Sequence, residues 1–170
     1  MRYTKIKMEF KGYEDRFYRV VAIKGNPDLF KLCVYLLTAV GSTFEHCFLI
    51  NLSDASFVMA HFMEQPMHGY KHLMNYYLDD LVEQFQVEYD TGDGWYFNCE
   101  VLGKPIEINS SKDIILLEGK GQGIREDNIF TLWEYLDGKI DNDFDKEIPE
   151  EGIYKPWNCD IKNIATSICL

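Results

Sequence analysis

Polar and apolar residues alternate near the start of the chain in the way that paired β-strands require. Ile6, Met8 and Phe10 are separated by charged residues, which is the period-two pattern of a half-buried strand. After a turn-like segment at 11–15, residues 17–24 are apolar and β-branched enough for an inner strand. We therefore expect these two segments to form a β-hairpin.

The next segment has the spacing of an amphipathic helix. Its apolar residues recur every three or four positions and form one continuous stripe: Leu29, Leu32, Cys33, Leu36, Leu37 and Val40. Asn26 is the predicted N-cap, with Pro27 at the first helical position. Gly41 is the predicted end of the helix.

A second hairpin is predicted in the middle of the chain, with its turn at residues 92–94. Alternating apolar residues flank this turn: Phe85, Val87 and Tyr89 before it, and Trp95, Phe97, Cys99 and Val101 after it. Residues 44–52 predict another strand, with Phe44, His46, Phe48 and Ile50 on one face. Weaker patterns predict a strand within 57–62, a short helix near 78–83, a strand at 113–118 and a helix at 129–140.

These elements predict a single compact α+β domain over residues 3–140, with a mainly antiparallel sheet and packed helices. From residue 141 the chain is rich in acidic residues and contains two prolines and scattered aromatics. We expect residues 141–170 to form an acidic C-terminal extension packed on the same domain.

The net charge of -11 opposes binding to nucleic acid, because an acidic protein is repelled by the phosphate backbone. The charge is uneven. Residues 1–31 contain 8 basic and 4 acidic residues, a net +4, whereas residues 126–152 contain 2 basic and 10 acidic residues, a net -8. Two solvent-exposed faces of opposite charge explain this asymmetry more simply than a charge dipole that steers a binding partner.

The five cysteines are widely spaced and contain no Cys-x-x-Cys pair, which predicts buried free thiols in a reducing compartment. The N-terminus lacks an apolar leader, and the longest apolar stretch, around 32–40, is too short to span a bilayer. We expect a cytoplasmic protein with no membrane partner and an undetermined oligomeric state.

Sequence motifs predict no cofactor, no metal site and no catalytic residue. The glycine-rich residues 119–123 lack the Lys-Ser/Thr pair of a phosphate-binding loop. Residues 141–152 open like a calcium loop, but Lys146 and Gly152 replace its turn glycine and bidentate glutamate. The histidines lack the spacing of a zinc site, and a Gly-x-Ser-x-Gly elbow is missing from the sequence.

Polar residues nevertheless gather in three glycine-bearing or strand-end segments, which we expect to lie near one another at one edge of the sheet. They form the candidate binding site: His46, Asp90, Asp93, Trp95, Glu126 and Asp127. Each has a structural alternative. His46 can be a hydrogen-bonded core residue, the two aspartates near 92 can serve the turn, and Trp95 can belong to the core.

The segment Tyr89-Asp90-Thr91-Gly92-Asp93-Gly94-Trp95 is similar to the Tyr-Asp-Phe-Gly-Asp-x-Trp hairpin of the plasmid pRiA4b ORF-3-like family. The resemblance extends over residues 3–137. It includes the aromatic-Arg strand at 17–20, the His-x-Phe pattern at 46–48, and the Gly-x-Gly and Glu-Asp patterns at 119–127. Phe97 replaces the histidine that usually follows the tryptophan by two positions. The resemblance implies a compact α+β domain, often encoded with plasmid or mobile-element genes, without a settled biochemical function.

Two functions fit these residues. The first is a non-catalytic binding or interaction module for a protein or small-molecule partner, with its recognition surface at His46, 90–95 and 119–127. The alternative is a divalent-metal-dependent hydrolase or nuclease that uses the histidine and the acidic residues of the same segments. The first is favoured, because these residue types without tight ligand spacing are weak evidence of chemistry. Convergence of three or more of them beside an open position would favour a metal site.

Overall fold

The structure of the chain is a computed structural model, which describes residues 1–58, 70–121, 123–124 and 127–140. The described residues form a mostly antiparallel, mixed sheet of nine strands with two α-helices. The strands are β1 (Arg2–Phe10), β2 (Tyr18–Lys24), β3 (Phe48–Asn51), β4 (Ser56–Val58), β5 (Tyr70–His72), β6 (Gln84–Tyr89), β7 (Trp95–Val101), β8 (Ile106–Glu107) and β9 (Ile114–Lys120). The helices are α1 (Leu29–Ala39) and α2 (Ile129–Leu136), with 3-10 turns at Leu73–Asn75 and Leu78–Asp80.

The sheet has the strand order β5-β4-β3-β6-β7-β1-β2-β9, and β8 pairs with the N-terminal part of β1. The two predicted hairpins are present: β1 pairs antiparallel with β2, and β6 pairs antiparallel with β7. The β4–β5 pair is parallel. This arrangement confirms the predicted α+β class.

Helix α1 packs on the apolar face of the sheet, and the predicted stripe from Leu29 to Val40 is buried throughout. Phe30 on this helix contacts Phe48 of β3, with ring centroids 5.3 Å apart. The predicted cap was wrong by two residues, since Asp28 is the N-cap and its carboxylate accepts a hydrogen bond from the Lys31 N–H at 2.8 Å. The helix ends at the predicted place, where Gly41 takes a positive φ of 85°.

A compact aromatic group fills the core between β1, β2 and β7. Phe10 lies at its centre and contacts Phe17, Trp95 and Phe97, with centroid separations of 5.4–5.7 Å. All four rings are buried, so the alternation of large apolar residues in the predicted strands reflects one shared core. Trp95 therefore belongs to the core, which was the structural alternative to its role in a binding site.

Two predicted element bounds also differ from the structure, and two short strands were not predicted. The strand predicted from residue 44 begins at Phe48, because Phe44 adopts a left-handed φ of 63° that a strand cannot contain. Ile140 lies beyond α2, which ends at Leu136. Strands β5 and β8 were not predicted, because their three and two residues are too short to show a period.

Other predictions fall partly or wholly outside the described residues. They are residues 59–62 of the strand predicted within 57–62 and the C-terminal extension at 141–170. In the part of the chain that the structure describes, no helix combines the length and apolarity needed to cross a bilayer.

Leu36→Ala should lower the free energy of unfolding by about 2–5 kcal/mol, because Leu36 is fully buried and its truncation leaves a cavity beneath α1. Urea unfolding followed by circular dichroism measures the change. Leu117→Ala is the matched control, since Leu117 is exposed on β9 and its truncation should change stability by less than about 0.5 kcal/mol. Equal losses in the two variants would contradict the packing of α1.

Cys33 and Cys99 should resist alkylation in the native protein. Both side chains are buried, and burial raises the pKa of each thiol, so the reactive thiolate is scarce at neutral pH. Iodoacetamide labelling followed by peptide mapping should modify these two residues only when denaturant is added. Rapid native labelling of either one would show that α1 does not seal the core.

Candidate functional site

The candidate site lies at the ends of three neighbouring segments. His46 precedes β3, Asp90 follows β6, and Asp127 precedes α2. Because β3 and β6 are adjacent and antiparallel, the start of one meets the end of the other, with Phe48 opposite Tyr89. The sheet itself therefore brings the first two side chains together.

Asp90 is buried and has a left-handed φ of 50°, which starts the turn between β6 and β7. Its Oδ1 atom accepts hydrogen bonds from the backbone N–H groups of Gly92, at 3.1 Å, and Asp93, at 3.3 Å. The Asp90 N–H donates to the Cys47 carbonyl at 2.9 Å, which ties the turn to the segment that carries His46. One carboxylate oxygen thus holds the turn, while Oδ2 lies 3.6 Å from His46 Nε2.

His46 is half-buried and held on its other side by Tyr89. The His46 backbone N–H donates to the Tyr89 hydroxyl oxygen at 3.3 Å, and the two rings meet edge to face at a centroid distance of 6.0 Å. The Nε2 atom is buried and lies 2.9 Å from Asp127 Oδ1, yet no hydrogen bond of acceptable angle reaches it. An imidazole nitrogen buried among carboxylate oxygens without such a bond leaves room for another partner.

The segment that carries Asp127 is fixed to the body a few residues earlier. The Ile124 N–H donates to the Val40 carbonyl at 2.8 Å, and the Ile124 side chain is buried. Asp127 itself has a left-handed φ of 55° and a side chain that is 70% exposed. Asn128 then caps α2 by accepting from the Thr131 N–H at 3.3 Å. Asp127 is therefore the solvent-facing member of the site.

The three side chains have the separations of metal ligands. His46 Nε2, one Asp90 oxygen and one Asp127 oxygen all lie within 4.8 Å of one another. Two ligands that are each about 2.1 Å from a shared ion are about 3.0 Å apart at an octahedral right angle and about 3.4 Å apart at the tetrahedral angle. The observed separations of 2.9 and 3.6 Å match those values within a small side-chain adjustment.

The other predicted site residues have different positions. Asp93 contributes its backbone N–H to the Asp90 turn and is not one of the three convergent side chains. Trp95 is completely buried, so it offers no surface to a ligand. Glu126 lies outside the described residues. The sequence motifs predicted no metal site because the convergent residues are widely separated along the chain. The sequence did predict that their segments lie near one another, and the structure adds the separations of the ligand atoms.

The fold and the site define an acidic α+β domain with a His-Asp-Asp cluster at its strand ends. The chain belongs to the plasmid pRiA4b ORF-3-like protein family, whose model matches residues 2–151. This confirms the resemblance found in the sequence.

A solved structure shares the fold: the crystal structure of a protein of unknown function from Methanosarcina mazei Go1 matches with a TM-score of 0.65 at 14% sequence identity. The match covers 95% of this chain and 96% of that chain. At this identity it shows the fold alone. No curated protein matches this chain significantly.

Asp90→Ala should destabilise the protein by about 1–2 kcal/mol, because the Gly92 and Asp93 N–H groups lose their acceptor. Asp90→Asn should cost less, since an amide oxygen can still accept and asparagine tolerates a positive φ. Thermal unfolding of both variants tests this order. Equal destabilisation would mean that the turn depends on the negative charge and not on the acceptor.

Proposed function

We propose that this protein is a non-catalytic binding module whose site binds a divalent cation. The ligand atoms are His46 Nε2, Asp90 Oδ2 and Asp127 Oδ1. The observation that supports this proposal most is the convergence of these atoms within 4.8 Å from three separate segments. The nitrogen at the centre of the group is buried without a hydrogen bond, and a metal ion would satisfy it.

The ligand set favours a transition metal over calcium or magnesium. Calcium and magnesium prefer sites made only of oxygen atoms, whereas an imidazole nitrogen suits zinc, iron and nickel. Two carboxylates beside one imidazole also suit manganese. The two negative charges would neutralise a divalent ion, so the bound centre would carry little net charge. We therefore choose Zn²⁺ and Mn²⁺ as the test ions.

A metal-dependent hydrolase or nuclease is the second candidate, and one observation favours it. Asp127 is 70% exposed, so an ion held beside it would keep coordination positions open to water, as hydrolytic centres do. However, the cluster found among the described residues contains three ionisable side chains, and all three would serve as ligands. None is left there to act as a general base, which favours the non-catalytic role.

Metal-stripped protein should bind Zn²⁺ or Mn²⁺ with one-to-one stoichiometry in isothermal titration calorimetry. His46→Ala and Asp127→Ala should each weaken binding by at least about 10–100-fold, since loss of a direct ligand should cost no less than loss of an outer-shell partner. Asp54→Ala is the matched control, because Asp54 is an exposed aspartate in the turn between β3 and β4 and lies outside the cluster.

A wild-type protein that binds neither ion would overturn the proposal, and so would equal affinities for the wild type and both ligand variants. The hydrolase alternative needs a separate assay. Metal-loaded wild type should hydrolyse bis(p-nitrophenyl) phosphate no faster than the loaded Asp54→Ala and Asp127→Ala proteins. Turnover that disappears only in Asp127→Ala would favour the hydrolase.

A further inference from the structure

We infer that an ion at this site acts as a clasp that fastens the N-terminal end of α2 to the sheet, so that metal binding and docking of α2 are thermodynamically linked. This inference rests on the proposed function. It goes further by assigning the three ligands unequal roles: His46 and Asp90 flank the paired strands β3 and β6, whereas Asp127 belongs to the segment that leads into α2.

The sheet side of the site is pre-formed. The Asp90 backbone N–H donates to the Cys47 carbonyl at 2.9 Å, and the His46 backbone N–H donates to the Tyr89 hydroxyl oxygen at 3.3 Å. Asp90 is further fixed by the hydrogen bonds that its Oδ1 atom accepts from the backbone N–H groups of Gly92 and Asp93. These two ligands therefore keep their relative positions whether or not Asp127 is in place.

Helix α2 is held firmly at its C-terminal end. The Arg16 guanidinium donates to the Leu136 carbonyl, and the Tyr13 hydroxyl donates to Asp137 Oδ1 at 2.9 Å. Hydrogen bonds from Lys139 and Tyr13 hold the pKa of the Asp137 carboxyl below its usual value, so this carboxylate is ionised at neutral pH and accepts both bonds. The last turn of α2 is thus attached through three polar side chains.

Among the residues that the structure describes, the N-terminal end of α2 has a weaker polar attachment. Ile129 and Leu132 are buried there, and the polar link to the sheet side formed by these described residues is the contact between Asp127 Oδ1 and His46 Nε2. Because the Asp127 side chain is mostly exposed, such a pair contributes only about 0–1 kcal/mol. A shared metal ion would replace this weak pair with coordination bonds from both sides.

Linkage requires the coupling to act in both directions. If the ion favours the docked helix by some factor, then docking raises the affinity for the ion by that same factor. A change that populates the undocked helix therefore reduces the apparent affinity for the ion. This holds even for residues that never touch the ion. Leu132 provides the test, because its side chain is fully buried on α2 and it is not a ligand. Leu73 provides the control, because it is equally buried in a 3-10 turn beside β5.

The experiment uses the full chain with Zn²⁺, or with Mn²⁺ if only that ion binds. Hydrogen exchange measured by mass spectrometry should show that the ion increases protection of residues 129–136 by at least about fivefold, the lower end of typical site coupling. The increase should exceed that in α1 and should be lost in Asp127→Ala. In calorimetry, Leu132→Ala should weaken ion binding by at least about fivefold, whereas Leu73→Ala should change it by less than about twofold.

Tyr13→Phe is a second variant in case Leu132→Ala does not fold, since it removes only the hydrogen bond to Asp137 at the far end of α2. It should also weaken ion binding, in the same direction as Leu132→Ala. Failure of the wild type to bind either ion would overturn the proposed function itself. Tight binding with unchanged exchange in 129–136, or with unchanged affinity in the Leu132 and Tyr13 variants, would overturn the clasp and leave the metal site intact.

Discussion

The arrangement of the site depends on one buried guanidinium. Arg19 of β2 is completely buried, and it donates to four backbone carbonyl oxygens: Ala39 at 2.9 Å, Tyr18 at 2.7 Å, Lys120 at 2.6 Å and Gly121 at 3.0 Å. These carbonyls belong to the end of α1, to β2 itself, and to the end of β9. A planar guanidinium with five N–H donors can join three elements in this way, whereas a lysine ammonium cannot reproduce the fixed fork.

The residues just after β9 are also held against the end of α1. Gly121 has a positive φ of 76°, and a Cβ atom there would lie 2.5 Å from the Arg16 carbonyl, so only glycine fits this close approach. The Ile124 N–H donates to the Val40 carbonyl at the end of α1. The buried arginine, the tight glycine and the Ile124 bond therefore fix the end of β9 and Ile124 against α1, three residues before the exposed carboxylate of Asp127.

The sequence predicted those parts of the fold that have a repeating period. The stripe of α1 and the alternation in β6 and β7 depend on burial of regularly spaced side chains, so a local pattern is sufficient to find them. The caps and the irregular segments depend on single residues. Asp28 rather than Asn26 caps α1, since the Asn26 side chain instead accepts from the Asp79 N–H at 2.9 Å. That contact joins residues far apart in the chain, and no local pattern encodes it.

The same distinction applies to the site. Sequence reasoning selected His46, Asp90 and Asp127 because they stand at strand ends and turns, outside the core pattern. The sequence also predicted that their three segments lie near one another, and the three side chains do converge. The separations of the ligand atoms could not be predicted, because they depend on the pairing of β3 with β6 and on the bond between Ile124 and Val40. Trp95 shows the opposite case. Tryptophan is common in binding sites, but the position of Trp95 in the β6–β7 alternation places its ring in the aromatic core with Phe10.

The two aspartates of the cluster share a strained backbone but differ in how it is stabilised. Both have left-handed φ angles, 50° for Asp90 and 55° for Asp127, which cost on the order of 1 kcal/mol each for a residue with a side chain. The turn offsets this cost for Asp90, because the Asp90 Oδ1 atom accepts hydrogen bonds from two backbone N–H groups. Asp127 is mostly exposed, and the polar contact of its side chain with the described part of the chain is the pair with His46. Two ligands of the site are therefore pre-formed, and the third is weakly held. Because of this difference, the affinity for an ion depends on the free-energy cost of positioning Asp127. This asymmetry is what would make an ion at this site sensitive to the position of α2.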